Sequence, residues 1–151
     1  MAQNILGTQI ITQVAIVCRD IEATSRAWAE MFGIETPSWS ITDSVETSHI
    51  EYGGQPTEAQ AKLAFIDIGD NVRLELIEPI GEPSTWADHL NEHGDSIHHI
   101  AFGVHDMDAV IGRLDAQNIP LVQKGDYTGG RYAYVDGQSK LGAVLELLEN
   151  F

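Results

Sequence analysis

Ile97-His98-His99-Ile100-Ala101-Phe102-Gly103-Val104 is the stretch on which the reading of this chain turns. It is an apolar run carrying two adjacent histidines, preceded by Gly94 and followed by His105-Asp106. It reads as a buried strand leading into a helix. Neighbouring side chains on a strand point to opposite faces, so His99 is expected to share a face with Ala101 and Gly103 while His98 turns away. Small residues on that face leave room for something other than core packing. The ordinary fate of such a pair is to be satisfied by hydrogen bonds in a core. A second reading opens because the same stretch occurs earlier in the chain without its histidines.

ITQVAIVCRDIEA (11–23) lies over IHHIAFGVHDMDA (97–109) without a gap, with Ile, Ala, Asp and Ala identical at four positions. LAFIDIGDNVRLELIE (63–78) lies over YAYVDGQSKLGAVLELLE (132–149) with two extra residues in the second turn, and Leu-Glu-Leu recurs at 74–76 and 145–147. Two matched segments in the same order outweigh chance likeness between apolar strands. A pair of copies is too few for a solenoid and points to a duplicated βαβββ unit.

Local signals fill in the rest. Residues 1–9 read as a loose arm and Ile11 to Cys18 as a buried strand. Asp20 is a fitting N-cap for a helix through Phe32, stopped by Gly33. Strands are expected at Trp39–Thr42 and Thr47–Tyr52, then a loop at Gly53–Pro56. A hairpin follows from Leu63–Ile68 and Val72–Ile77 around Gly69-Asp70-Asn71. Pro79 to Pro83 reads as a linker, and Ser84 opens a helix from Thr85 to His93. After the two-histidine strand, Asp106 starts a helix to about Asn118. A strand at Pro120–Gln123, a loop at Gly125–Gly130 and a hairpin of Arg131–Val135 with Ala143–Leu148 close the chain. The fold class is thus α+β, with modules at about 9–80 and 95–150.

The net charge of −15 argues against nucleic acid and anionic membrane as partners, since both need a basic surface. Cys18 is the one cysteine, which excludes an internal disulfide and suits a reducing cytoplasm. Met1 to Ile10 is too polar for a signal peptide, and no apolar run approaches membrane-spanning length.

The repeat pairs Gln13 with His99 and Glu75 with Glu146. Both glutamates lie between leucines in runs that read as buried, where a charged carboxylate is costly unless paired or bound to a cation. A glutamate on a half-exposed strand ordinarily faces solvent. Here that would have to hold twice, at equivalent positions, beside an equivalent Gln/His pair. One imidazole, two carboxylates and an amide oxygen make a reasonable site for a divalent metal.

With those residues in view, the chain resembles the vicinal oxygen chelate superfamily (the glyoxalase, bleomycin resistance and dioxygenase proteins) over about Ile11 to Glu149. Within it, the likeness is nearest to methylmalonyl-CoA epimerase and glyoxalase I-like proteins. It is carried by Val14-Ala15-Ile16-Val17 with Asp20-Ile21-Glu22, Glu75 to Pro79, the block STWADHLNEHGDSIHHIAF (84–102), Gly129-Gly130-Arg131 and Leu145-Glu146-Leu147. The resemblance implies a cupped mixed sheet around one metal site, with Gln13, Glu75, His99 and Glu146 as ligands. It implies a divalent metal ion (zinc, nickel, cobalt or manganese). The departure is Gln13, where the epimerases usually have His; Gln, Glu, His, Glu resembles instead the ligand set of zinc-dependent eukaryotic glyoxalase I.

Both relatives remove a proton from carbon next to a carbonyl through a metal-stabilised enolate. By resemblance, Glu146 is the catalytic base and Glu75 stays on the metal. The expected activity is therefore that of a metal-dependent epimerase, isomerase or lyase, with glyoxalase I (lactoylglutathione lyase) or a metal-free binding protein of the same fold as alternatives. An extradiol dioxygenase would need two His and one Glu, which Gln13 argues against. The small-molecule substrate would be an acyl thioester or a hemithioacetal, and the resemblance implies a homodimer, for which Trp28 and Met31 offer apolar surface. Arg131 is the candidate for an anionic substrate group, with strand-edge pairing to surface carboxylates an equal alternative. Lys124 and Lys140 could join it at a coenzyme A phosphate, although no phosphate-binding glycine loop is visible. Glu51 and His98 are the candidates for a second acid or base, and most of His49, His89, His93 and His105 are expected at the surface.

Overall fold

A computed structural model of the chain describes residues 3–151. β1 (Ile11–Val17) leads into α1 (Ile21–Phe32). Asp20 accepts from the Ala23 backbone N–H at 3.1 Å, and Gly33 takes the left-handed conformation that closes the helix. β2 (Ser40–Ile41), α2 (Val45–Ser48), β3 (Glu51–Tyr52) and β4 (Gln55–Pro56) follow, then β5 (Gln60–Asp67) and β6 (Arg73–Ile80). α3 (Thr85–His93) starts on Ser84, whose hydroxyl accepts from the Ala87 N–H at 3.0 Å. The second half runs β7 (Ser96–Gly103), α4 (Met107–Asp115), β8 (Leu121–Tyr127), β9 (Gly130–Gly137), α5 (Gln138–Leu141) and β10 (Ala143–Asn150).

All ten strands join one mixed sheet in the order β2-β5-β6-β1-β7-β10-β9-β8-β3-β4. β1 and β7 are antiparallel neighbours at its centre, β6 runs parallel to β1, and β10 runs parallel to β7. The repeat seen in the sequence is therefore a repeat of topology: β1, α1, β2, β5, β6 match β7, α4, β8, β9, β10 across the central pair. The curled sheet is covered by helices on its outer face. There Cys18 and Leu76 pack against Ile21 of α1, while Met107, Val110 and Leu114 of α4 pack against Leu145 and Leu147.

Four local expectations are corrected. Thr47–His49 is no strand: it lies in α2 and its cap, and His49 turns left-handed at φ 50°, which leaves two residues for β3. The supposed loop Gly53–Pro56 holds β4, because Gly53 and Gly54 both adopt positive φ (59° and 80°) and form the tight turn that twisted hairpins favour. This β3–β4 hairpin crosses over to pair with β8 of the other half. The supposed loop at 125–130 is a tight hairpin: β8 runs on to Tyr127, and Gly125 is there because a Cβ would meet the Tyr132 ring at 2.8 Å. Last, of the arm expected at 1–9, residues 1 and 2 lie outside the described residues, and the rest is fastened. Ile5 and Leu6 pack on the α4 core, and Arg113 Nη2 donates to the Ile5 carbonyl at 3.0 Å.

Candidate metal centre

The register of the central strands brings the four chemistry-bearing residues to one face. Ala15 of β1 lies opposite Glu75 on β6 and His99 on β7, and Ala101 of β7 lies opposite Gln13 on β1 and Glu146 on β10. Directly opposed residues share a face, as do Gln13 and Ala15 two apart. All four are buried, with Gln13 5%, Glu75 6%, His99 1% and Glu146 4% exposed. His99 Nε2 lies 3.6 Å from Glu75 Oε1 and 3.5 Å from Glu146 Oε1. The Gln13 amide, oriented to satisfy both neighbours, donates to Glu146 Oε1 at 3.2 Å and accepts from Arg73 Nη2 at 3.2 Å.

Two atoms of this cluster, Glu75 Oε1 and His99 Nε2, are buried with no hydrogen-bond partner among the described residues. Orphaned polar atoms of this kind cost about 1–3 kcal/mol each, more when charged. Burial first, and the Glu146 carboxylate second, push the Glu75 carboxyl well above its ordinary 4.5, with Arg73 opposing. A divalent cation would complete both orphans and offset both carboxylates. Donor atoms of Glu75, His99 and Glu146 all lie within 4.8 Å of one another, and imidazole with carboxylates is a donor set that could hold a divalent metal ion.

His98 does not turn away as strand alternation predicts. Ala15 pairs with His99 but Ile16 pairs with Ile97, so His98 is the extra residue of a β-bulge. The bulge returns its ring to the side of His99, with the two Nδ1 atoms 2.7 Å apart and the rings edge to face. His98 Nε2 lies 3.1 Å from Thr85 Oγ1 at the start of α3. His98 thus stands behind His99 and does not line the cavity.

In front of the cluster is a cavity of about 400 Å³, lined by Phe65, Trp86, Tyr132 and Tyr134 as well as by Gln13, Glu75 and Glu146. Trp86 Nε1 donates to Tyr134 Oη at 3.0 Å, and Gln123 Nε2 donates to Tyr132 Oη at 3.1 Å. Burial raises both phenols well above their ordinary value, so they stay protonated. Arg73 is the one cation among the described lining residues, and its guanidinium stacks over Phe65 at 4.1 Å.

Other candidates fall elsewhere. Arg131 is held by Glu149 at 2.7 Å and Asp108 at 3.2 Å, in a separate groove with Glu51 and Lys124. Lys140 donates to the Gln117 carbonyl on α5's side of the molecule. His49, His93 and His105 are exposed, and His89 is half-buried beside Ser96 Oγ at 3.0 Å. Arg73 is a site residue that the sequence analysis above does not single out. The signal for it was there, since Arg73 stands two residues before Glu75 on β6 and strand alternation puts both on one face. Tyr132 and Tyr134, also two apart on one strand, come to the same face only through the pairing of β9 with β10, where they lie opposite Leu148 and Glu146.

Comparison with known proteins agrees with this architecture. The family model of the Glyoxalase/Bleomycin resistance protein/Dioxygenase superfamily matches residues 12–135. The uncharacterized protein YqjC of Bacillus subtilis is 30% identical over 95 residues, covering 61% of this chain and 67% of that protein. The structure of methylmalonyl-CoA epimerase from Mycobacterium tuberculosis superposes with a TM-score of 0.64 at 20% identity, covering 100% of this chain and 93% of that one. A variant of Streptomyces coelicolor methylmalonyl-CoA epimerase in complex with 2-nitronate-propionyl-CoA gives 0.64 at 22% identity, covering 93% of this chain and 94% of that one. At these identities the structural likeness is one of fold. Taken with the match over most of its length, it means that the chain belongs to the Glyoxalase/Bleomycin resistance protein/Dioxygenase superfamily, the vicinal oxygen chelate proteins.

Proposed function

We propose that this protein is a metal-dependent enzyme of the epimerase or glyoxalase type, which moves a proton at carbon next to the carbonyl of a small anionic acyl compound. The observation that carries the reading is the pair of orphaned buried atoms, Glu75 Oε1 and His99 Nε2, facing each other with Glu146 beside them. Glu75, His99 and Glu146 hold the divalent ion, and Gln13 supplies a fourth donor when its amide turns its oxygen inward. The bound ion supplies Lewis-acid stabilisation to negative charge developing on a carbonyl oxygen.

Glu146 is the base. It lines the cavity, and its Oε1 is steadied by the Gln13 amide at 3.2 Å. Phe65, Trp86, Tyr132 and Tyr134 exclude water around the reacting carbon. Arg73, the one cation among the described lining residues, is the group that would pair with a substrate carboxylate, while Asp43 and Asp126 on the same lining would repel one placed near them. A volume of about 400 Å³ accepts the acyl end of a thioester and leaves its carrier outside. The neighbour with 2-nitronate-propionyl-CoA supports an acyl thioester, whereas Gln13 favours a hemithioacetal of the glyoxalase I kind.

The test is elemental analysis of the native protein, followed by proton exchange in heavy water with methylmalonyl-CoA and with the hemithioacetal of methylglyoxal and glutathione. Metal at one equivalent with exchange on either compound supports the reading. Native protein without metal, and without exchange after loading, would leave a metal-free binding protein. We also propose a homodimer, supported by the exposed Met31 and Phe32 at the end of α1 and Ile34 just beyond it; Trp28, expected beside Met31 on that surface, is instead half-buried against the core. Sedimentation showing a monomer at micromolar concentration would overturn it.

A further inference from the structure

We propose that His98 is the positioning residue of the metal centre. It sets the tautomer of His99, and a cation at His99 orders both rings into one directed chain ending on Thr85. This rests on the reading that the cluster holds a divalent ion.

The geometry leaves few arrangements. Two Nδ1 atoms 2.7 Å apart need one proton between them, so one ring donates and the other accepts. His99 Nε2 faces Glu75 and Glu146 at 3.6 and 3.5 Å. If Nε2 gives its lone pair to a cation, the neutral His99 ring carries its proton on Nδ1. His98 Nδ1 must then accept, and the proton of His98 sits on Nε2, where Thr85 Oγ1 accepts at 3.1 Å. The reverse chain runs from the Thr85 hydroxyl through His98 Nδ1–H to His99 Nδ1. It leaves a proton on His99 Nε2, pointed at two carboxylates too distant to accept it well. The ion selects the first chain and expels the second.

The device is built in. His98 occupies this place only because it is the bulge residue of β7; regular alternation would send it to the other face. Its ring is wedged edge-on against Tyr134 at 5.1 Å and His89 at 5.2 Å, and it is 3% exposed. A ligating histidine usually hands its second N–H to a carboxylate, carbonyl or water. Here two buried carboxylates already face the ion. A neutral imidazole fixes the ligand without adding a third buried negative charge.

The experiment uses ¹⁵N-histidine protein and zinc ions, with long-range ¹H–¹⁵N correlation to read the tautomers. With zinc bound, His98 should be protonated at Nε2 and His99 at Nδ1. His98 protonated at Nδ1 in the zinc form would overturn the proposal. Zinc affinity should fall roughly 10- to 100-fold in His98→Leu. His98→Asn, whose amide oxygen can stand near the lost Nδ1, should recover most of it, and Thr85→Val should fall between. A His98→Leu protein that binds zinc as wild type does would overturn the proposal; should that variant not fold, the tautomers of the unaltered protein decide. A wild-type protein that takes up no zinc would overturn the metal centre itself, an outcome separate from zinc bound with the wrong tautomers.

Discussion

Ala15 and Ala101 are equivalent positions of the two halves, each directly opposite two of the four site residues: Ala15 faces Glu75 and His99, and Ala101 faces Gln13 and Glu146. Both alanines are fully buried. Being small, they stand on the face where the two carboxylates, imidazole and amide converge without filling the space between them.

Replacing Ala101 by Leu should therefore damage the site more than the fold. Overpacking costs about 1–3 kcal/mol, read as a lowered thermal midpoint. Zinc affinity should fall far more than that loss accounts for, because the added side chain enters the space between Gln13 and Glu146. A variant that melts lower and binds zinc normally would show that the alanines serve packing alone.

Glu146→Gln keeps shape and an oxygen donor while losing most of its basicity. It should retain much of its metal and lose proton exchange by ~100- to 10,000-fold. Glu75→Gln is the control, which should weaken the metal without removing the base. Full exchange in Glu146→Gln, with exchange abolished in metal-loaded Glu75→Gln, would reverse the two roles.

The stability of the metal-free protein should depend on pH through Glu75. Its value in the folded state is raised above the ordinary 4.5 by burial and by Glu146, so the folded chain holds that proton more tightly than the unfolded one. The stability this contributes is fully present below the ordinary value and is lost as pH rises through the raised one. Zinc binds the ionised carboxylate, so its stabilising effect should grow across the same window. Thermal midpoints with chelator and with excess zinc, from about pH 5 to about pH 8, check this. Equal stabilisation by zinc at both ends would contradict it.

Cys18 should be inert in the folded protein. It is fully buried beneath α1, its thiol donates to the Ile77 carbonyl at 3.6 Å, and burial pushes its pKa up to about 11. Alkylation by iodoacetamide near neutral pH should be undetectable until denaturant is added. Any stability owed to the protonated thiol is lost only as pH climbs through about 11. Rapid labelling under native conditions would mean that α1 opens.

Much of this protein is legible in its sequence, because the carriers of that information are local. Recurrence of Leu-Glu-Leu at repeat-equivalent positions, 74–76 and 145–147, assigned Glu75 and Glu146 to buried faces. The caps Asp20 and Ser84 place two helices, and the repeat of 11–23 in 97–109 pairs Gln13 with His99 from sequence alone. What only the tertiary structure decided depends on which strands become neighbours, and no local pattern carries that. The bulge at His98 exists because β7 is paired against β1 with one residue to spare, so a ring that alternation sends outward comes back beside His99. Glu51-Tyr52 reads as a strand, but its partner cannot be read locally, because β8 lies some seventy residues away in sequence and in the other half. Arg131 reads equally as a substrate anchor or as a partner of surface carboxylates, and folding decides for Glu149 and Asp108. Arg73 stays exposed at the start of β6, and only the curl of the sheet brings it to the cavity, where it is the one cation among the described lining residues.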